Sequence, residues 1–319
     1  MTNSVSIRLA KALMKAFPNF PTQENKNNYE VFQHNDYLNG SETEKKDIRL
    51  SSSKSRYEYE KNRDYFNTYF PKFNKAEFKD KEILEIGSYT GGSLVYWIER
   101  YGFFKGCGID INTIFAEAGN MFANEKNINA TFTTGFGENL PYPDNSFDFI
   151  VSYDVFEHVK DLEIVMNECS RVLRPGGIVF AVFPPFFQPL EAHLTLVTKT
   201  PALHWIFSGQ TLNDAYNQII DDRGDEAYWY KNENKKLEVW EKLPSLNGIT
   251  IKKFKKIISK DKLWGIDFWG NNPILSDGRK AEMLIFKILR IFFIIPARTP
   301  LLEELFLGRI CCVLSNKKD

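Results

Sequence analysis

Short apolar runs alternate with helical patterns between residues 80 and 185, and this rhythm constrains the fold more than any other feature of the chain. Residues 82–86, 106–111, 130–134, 147–152 and 178–183 have the length and apolar content of buried strands. Residues 92–101, 114–124 and 162–173 carry apolar side chains at helical spacing. Strands separated by helices cannot close as hairpins, so they pair in parallel through right-handed crossovers. The expected class is α/β, a doubly wound Rossmann-like sheet with helices on both faces.

The flanks break this rhythm. Residues 1–75 read as an N-terminal helical accessory segment. In it Val5, Leu9, Ala12, Leu13 and Ala16 follow helical spacing, and Pro18 and Pro21 end the helix. A polar loop over 23–28 follows, then a polar break over 51–55 before a helix over 57–70. Residues 76–185 form the core. Residues 186–247 read as an insertion after strand five that covers the carboxyl edge of the sheet. Pro184, Pro185, Pro189 and Pro201 punctuate its start. Residues 248–319 complete the sheet. They hold a helix with Ile251, Phe254, Ile257 and Ile258 on one face, a strand over 263–269, a helix over 281–295 and a last strand over 310–315. Lys252, Lys253, Lys255 and Lys256 read as the solvated face of the first of these helices.

Lys and Arg together number 41 and Asp and Glu 41, a balance that gives no support to a nucleic-acid partner. Cys107, Cys169, Cys311 and Cys312 lack the spacing of a disulfide framework or a zinc knuckle. Arg8, Lys11 and Lys15 interrupt the first helix where a signal peptide would be continuously apolar. The most apolar run, 283–295, is broken by Lys287 and Arg290 and is shorter than the ~20 residues that span a bilayer. A cytoplasmic chain without a transmembrane helix is expected.

The run Ile83-Leu84-Glu85-Ile86-Gly87-Ser88-Tyr89-Thr90-Gly91-Gly92 is a strand that breaks into a glycine turn and then a helix. Such a turn lets backbone approach a ligand at the carboxyl end of a parallel strand. Tyr89 stands where a dinucleotide fingerprint needs its second glycine, and would crowd a pyrophosphate. S-adenosylmethionine has no phosphate, and its cationic sulfonium and amino groups favour a carboxylate such as Glu85. Asp110 ends the second strand, where a carboxylate can accept bonds from both ribose hydroxyls, although it can also merely cap the next helix.

Four segments together resemble the class I S-adenosylmethionine-dependent methyltransferases, in the methyltransferase-domain group that includes quinone-biosynthesis enzymes. They are Leu84-Glu85-Ile86-Gly87, Gly108-Ile109-Asp110, the run from Glu138 to Asp148, and Arg171-Val172-Leu173-Arg174-Pro175-Gly176-Gly177. The resemblance implies a seven-stranded sheet whose last strand is antiparallel. It implies a cofactor site built from Glu85, Gly87, Tyr89, Gly91, Asp110, Ile111, Gly137, Glu138 and Tyr153. Adenine would lie against the 135–138 turn. The family often has an acidic residue where Phe136 stands, so Phe136 would pack on the ring and the polar contacts fall to backbone near Gly137 or to Glu138.

Methyl transfer is an in-line displacement that expels a neutral thioether, so the protein must align the nucleophile and exclude water. A base is needed only for a hydroxyl or carbon acceptor. Asp154, Glu157 and His158 recur at i, i+3, i+4 after the fourth strand, one face if that segment is helical. His193 follows the fifth strand. Asp154, His158 and His193 are the catalytic candidates. The set Asp154, Glu157, His158 and His193 is similar to the Glu-x-x-Glu-His…His metal site of small-RNA 2′-O-methyltransferases, with Asp154 in place of the first Glu. Such ligands suit Mg²⁺, Mn²⁺ or Zn²⁺, which would lower a hydroxyl's pKa. Without metal, His158 or His193 serves as base, or Glu157 and His158 simply brace the helix that follows. His34 and His204 read as structural or surface residues.

The resemblance implies a methyltransferase acting on a small-molecule, glycan or lipid-linked acceptor, with oxygen receiving the methyl group. Carbon methylation of a quinone-like substrate, a nicotinamide dehydrogenase and a non-catalytic nucleoside-binding protein are the rivals. The run Phe183-Pro184-Pro185-Phe186-Phe187 resembles bacterial methyltransferases associated with cell-surface glycans or lipids. Trp205, Phe207, Tyr216, Tyr228, Trp229, Tyr230 and Trp240 line an acceptor pocket or form the insertion's own small core. The basic amphipathic helix over 4–17 and the apolar run 284–295 either pack internally or give peripheral membrane contact.

Overall fold

The computed structural model describes residues 4–20, 32, 35–189, 194, 197–223, 246–273, 291, 292, 294–299 and 302–318. His34, His193, Tyr228, Trp229, Tyr230, Trp240, the loop over 23–28 and most of the predicted helix over 281–295 lie outside them. The chain divides into two compact units. One comprises His34–Phe183, Lys255–Gly270 and Cys311–Asp319; the other comprises Met1–Gln33, Pro184–Phe254 and Asn271–Ile310. This division cuts the predicted 1–75 segment after residue 33.

Seven strands form one mixed sheet: β1 (Glu82–Ile86), β2 (Lys105–Asp110), β3 (Ala130–Thr134), β4 (Phe147–Tyr153), β5 (Leu173–Phe183), β6 (Trp264–Pro273) and β7 (Leu307–Asn316). Their order is β3-β2-β1-β4-β5-β7-β6. The first five strands pair in parallel, and the last strand is antiparallel. The helices are α1 (Ser4–Ala16), α2 (Glu42–Arg63), α3 (Tyr65–Tyr69), α4 (Gly92–Tyr101), α5 (Thr113–Lys126), α6 (Leu162–Val172), α7 (Gly209–Arg223) and α8 (Ile251–Ser259). Strand order reverses at β1, between β2 and β4. That is the switch point where open α/β sheets bind ligands.

An aromatic core supports the site from below. Phe66, Phe70, Phe78, Trp97, Phe149 and Phe180 are all buried in it, and Phe66 packs edge-on against both Trp97 and Phe180. Rings of this size bury much apolar area each, which fixes the helices against the sheet.

Three local expectations need correction. Ser51 to Ser55 form no break; they lie inside α2. A capping box starts that helix: Ser41 Oγ accepts from Glu44 N–H, and Glu44 Oε2 accepts from Ser41 N–H. Only Ser53 of this run is buried, where its backbone oxygen lies against Gly92. The predicted helix over 57–70 is split at Asp64, whose left-handed φ of 48° ends α2 and whose side chain caps α3. Strand β5 begins at Leu173, five residues earlier than expected in register with Phe147, before a bulge restores the pairing at Phe149↔Ile178.

The other unit has its own core. Ala10 and Met14 of α1 are buried with Leu212, Ala215, Tyr216 and Ile219 of α7. Phe186 and Phe207 pack against the same cluster, so these two and Tyr216 belong to this unit's small core. His204 is structural: it is buried, and burial pushes its imidazole down to about 4. In α8, Ile251, Phe254 and Ile258 are buried while Lys252, Lys253, Lys255 and Lys256 are exposed, as the spacing predicts.

Candidate cofactor and methyl-acceptor site

The carboxyl ends of β1, β2 and β4 lie side by side, because Ile86 pairs with both Ile109 and Ser152. After β1 the chain turns through Gly87 (φ 75°), Tyr89 (φ 46°) and Gly91 (φ 77°), all left-handed. A Cβ on Gly87 would lie 2.1 Å from Val155 Cγ2, so this position excludes any side chain. Tyr89 accepts the left-handed strain without being glycine; its ring packs edge-on against Phe115 at 4.4 Å.

Two carboxylates stand at this edge in different states. Glu85 is buried and its Oε2 has no partner; burial pushes its carboxyl well above the usual range, opposed by the Arg56 guanidinium. Asp110 is oriented by backbone. Its Oδ2 accepts from Tyr89 N–H at 2.9 Å and its Oδ1 from Asn112 N–H at 3.1 Å. Burial raises its carboxyl too, with these donors pulling it back. Each oxygen keeps a lone pair for a further donor.

A buried polar atom without a partner needs an explanation, and a bound ligand is one. Glu85 Oε2, Ser88 Oγ, Thr90 Oγ1 and Ser152 Oγ are four such atoms, all at the carboxyl ends of β1 and β4. Ile111 and Phe136, which follow β2 and β3, are 69% and 63% exposed, apolar side chains held open at the same edge. A ligand with a cationic end, a diol and a flat base fits this set, as S-adenosylmethionine requires. Glu138 is partly engaged elsewhere: its Oε1 accepts from Lys160 and Asp161 N–H. A Cβ on Gly137 would meet only ordinary contacts, so the backbone there is not crowded.

Helix α2, which the sequence places in an accessory segment, packs directly on the glycine turn and the start of α4. Ser53 Oγ donates to Thr90 O at 2.8 Å, and Arg56 Nε donates to Ser93 Oγ at 2.8 Å. A Cβ on Gly92 would lie 2.2 Å from Ser53 O and 2.5 Å from Tyr57 N, so backbone meets backbone there. Glu60 is buried and accepts from Tyr65 N–H and Trp97 Nε1–H. Arg63 lies 4.1 Å from the centre of the Tyr153 ring and donates through Nη1 to Tyr59 Oη, while its buried Nε and Nη2 lack partners. The Ser-x-x-Glu start at Ser41 was the signal that could have exposed this helix.

Beyond β4 the segment 154–160 is a turn, not a helix, so Asp154, Glu157 and His158 do not share a helix face. Asp154 has φ 55° and donates its N–H to Val182 O. Glu157 points into the core at 3% exposure, and His158 Nε2 lies 3.7 Å from Glu157 Oε1. No group of three or more His, Cys, Asp or Glu able to hold a metal is assembled among the described residues. Asp154, Glu157 and His158 are not joined in such a group, and the fourth predicted ligand, His193, lies outside the described residues.

Residues 84–181 match the family model described as a methyltransferase domain. Over 109 residues the chain is 33% identical to a probable chloroplastic tocopherol O-methyltransferase of Oryza sativa, covering 34% of this chain and 30% of that protein. It is 32% identical over 133 residues to a ubiquinone biosynthesis O-methyltransferase of Mesorhizobium japonicum, covering 41% and 52%. It is 27% identical over 174 residues to a fatty-acid O-methyltransferase of Mycolicibacterium smegmatis, covering 54% and 60%. The chain thus spans less than two thirds of the length of each of these relatives.

Proposed function

We propose that this chain, whose residues 84–181 form a methyltransferase domain of the class I S-adenosylmethionine-dependent superfamily, transfers a methyl group to an oxygen of a small-molecule, glycan or lipid-linked acceptor. The observation that carries the reading is the group of unpartnered buried polar atoms at the tips of β1 and β4, beside a backbone-oriented Asp110. S-adenosylmethionine supplies an electrophilic methyl group and a neutral leaving group.

Glu85 would face the cationic end of the nucleoside, with Gly87, Tyr89 and Gly91 lending backbone. Asp110 would accept from the ribose hydroxyls. Ile111 and Phe136 would flank adenine, with Gly137 and the free oxygen of Glu138 beside it. Tyr153 and Asp154 close the acceptor side at the end of β4. Arg63 supports an oxygen acceptor: its two unpartnered donors beside Tyr153 would favour deprotonation of an acceptor hydroxyl, whose oxyanion is then consumed as the methyl group is transferred. His158 is then the candidate base, held near the buried Glu157 carboxylate. A lipid-linked acceptor would be met through peripheral membrane contact.

Calorimetry with S-adenosylmethionine and its demethylated product tests the cofactor site. Asp110→Ala is expected to weaken binding by ~1.5–3 kcal/mol, the scale of a charge-assisted hydrogen bond. Unchanged affinity removes Asp110 from the site, and no heat with either nucleoside removes the whole reading. Radiolabelled methyl transfer to fractionated extract, with the product identified, separates oxygen from carbon methylation.

A further inference from the structure

Of the apolar stripe visible in the N-terminal sequence, only Leu13 lies on the face by which α1 is held. Within its unit, α1 is buried through Ala10 and Met14, with Ile7 and Leu13 packed beside them against α7. Val5, Leu9, Ala12 and Ala16, spaced i, i+4, i+7, i+11, make a separate stripe, and all four are exposed. Val5 is 64% exposed and Leu9 52%, and just past the helix Phe17 and Phe20 are 63% and 61% exposed. Ile7, Leu13 and Met14 face inward, so the exposed stripe is a second apolar face in addition to the packed one.

Charge accompanies the stripe. Arg8, Lys11 and Lys15 run alongside it at i, i+3, i+7, and Ser4–Ala16 contains no acidic residue. Lys11 and Lys15 both reach Asp222 of α7, at 3.0 and 2.7 Å, which fixes the roll of the helix. The following residues are equally fixed. Pro18 bridges to Thr198, Phe17 O accepts from Lys199 N–H, and the Arg223 guanidinium sits 4.5 Å from the centre of the Phe20 ring. The exposed rings are therefore presented by a hydrogen-bonded scaffold, with Arg8, Lys15, Lys199 and Arg223 as the nearby cations.

We propose that this face of α1, continued through Phe17 and Phe20, lies on an anionic phospholipid surface. A second copy of the chain could cover the apolar stripe but would bring the same cations against one another. An anionic bilayer answers both features: its acyl boundary takes Val5, Leu9, Phe17 and Phe20, and its headgroups take the cations. The same unit also exposes Ile291, Phe292 and Ile295. The surface gives a location to the peripheral contact named above, but it does not depend on methyl transfer.

Co-sedimentation of the full chain with extruded vesicles tests it. Vesicles of phosphatidylcholine and phosphatidylglycerol are expected to carry the protein down, and vesicles of phosphatidylcholine alone at least tenfold less. Binding should fall as salt rises. Val5→Ser with Leu9→Ser, both on the exposed face, should weaken binding at least tenfold while thermal unfolding stays as in the parent. Arg8→Glu, which alters no packed residue, should do the same if the double variant fails to fold. No binding of the parent to anionic vesicles, or equal binding by the folded variants, overturns the proposal. A dimer in sedimentation velocity without lipid, lost in the Val5→Ser, Leu9→Ser variant, overturns it in favour of self-association. Nucleoside calorimetry on the same preparations reports separately on the proposed enzymatic function.

Discussion

Glu85 is a carboxyl group placed where water cannot solvate its charge, and this sets two opposed demands on one residue. In the free protein, burial favours the protonated form. A cationic sulfonium nearby would favour the carboxylate. Glu85→Gln should therefore raise the stability of the free protein at pH 7–8 by about 1–3 kcal/mol, since folding then requires neither a buried charge nor the uptake of a proton. It should at the same time reduce the preference for the sulfonium cofactor over its neutral thioether product. Chemical denaturation and paired calorimetric titrations measure the two effects. A variant that loses stability, or that keeps the cofactor-to-product ratio, would show that Glu85 is structural. Asp110 differs because three backbone N–H groups already hold its charge, so its substitution should act on affinity more than on stability.

At the scale of elements, the sheet was legible because its strands carry their own pattern. β1 and β3 and helix α4 fall on the expected residues, since apolar period and glycine turn fix them locally. Helix α2 was not legible. Ser51 to Ser55 read as a polar break, yet the burial of Ser53 is imposed by Thr90 and Gly92, which lie far away in sequence. The turn after β4 failed for a related reason: the left-handed φ of Asp154 is set by pairing with β5, which spacing alone cannot reveal. The backbone contact between α2 and α4 makes a prediction. Gly92→Ala should cost about 1–3 kcal/mol by overpacking and weaken nucleoside binding in parallel, because α2 is pushed from the glycine turn. Gly176→Ala, with positive φ but nothing within 4 Å, should cost stability alone. If Gly92→Ala binds nucleoside like the parent at equal folded fraction, α2 is packing and not part of the site.

Across the whole molecule, the response to acid is the sum of opposed contributions from different residues. In the sheet-bearing unit, Glu85 and Asp110 are raised by burial. The unfolded chain then releases these protons first, so their contribution to stability falls as pH rises above the ordinary carboxylate range and returns on acidification. In the other unit, the folded His204 refuses a proton down to about 4, whereas the unfolded imidazole takes it near 6.5. Its contribution is therefore lost as pH falls from 6.5 towards 4. The ion-paired carboxylates Asp222, Glu99 and Glu168 are lowered and titrate below this window. Between pH 7 and 5 the two effects oppose each other, and single substitutions should separate them. His204→Leu should gain stability relative to the parent as pH falls through this range, and Glu85→Gln should lose it. Urea midpoints at several pH values measure both slopes. Because hydrophobic replacement of His204 also changes packing, the decisive quantity is the pH dependence of the difference from the parent; a constant offset would mean that His204 titrates alike in the folded and unfolded states.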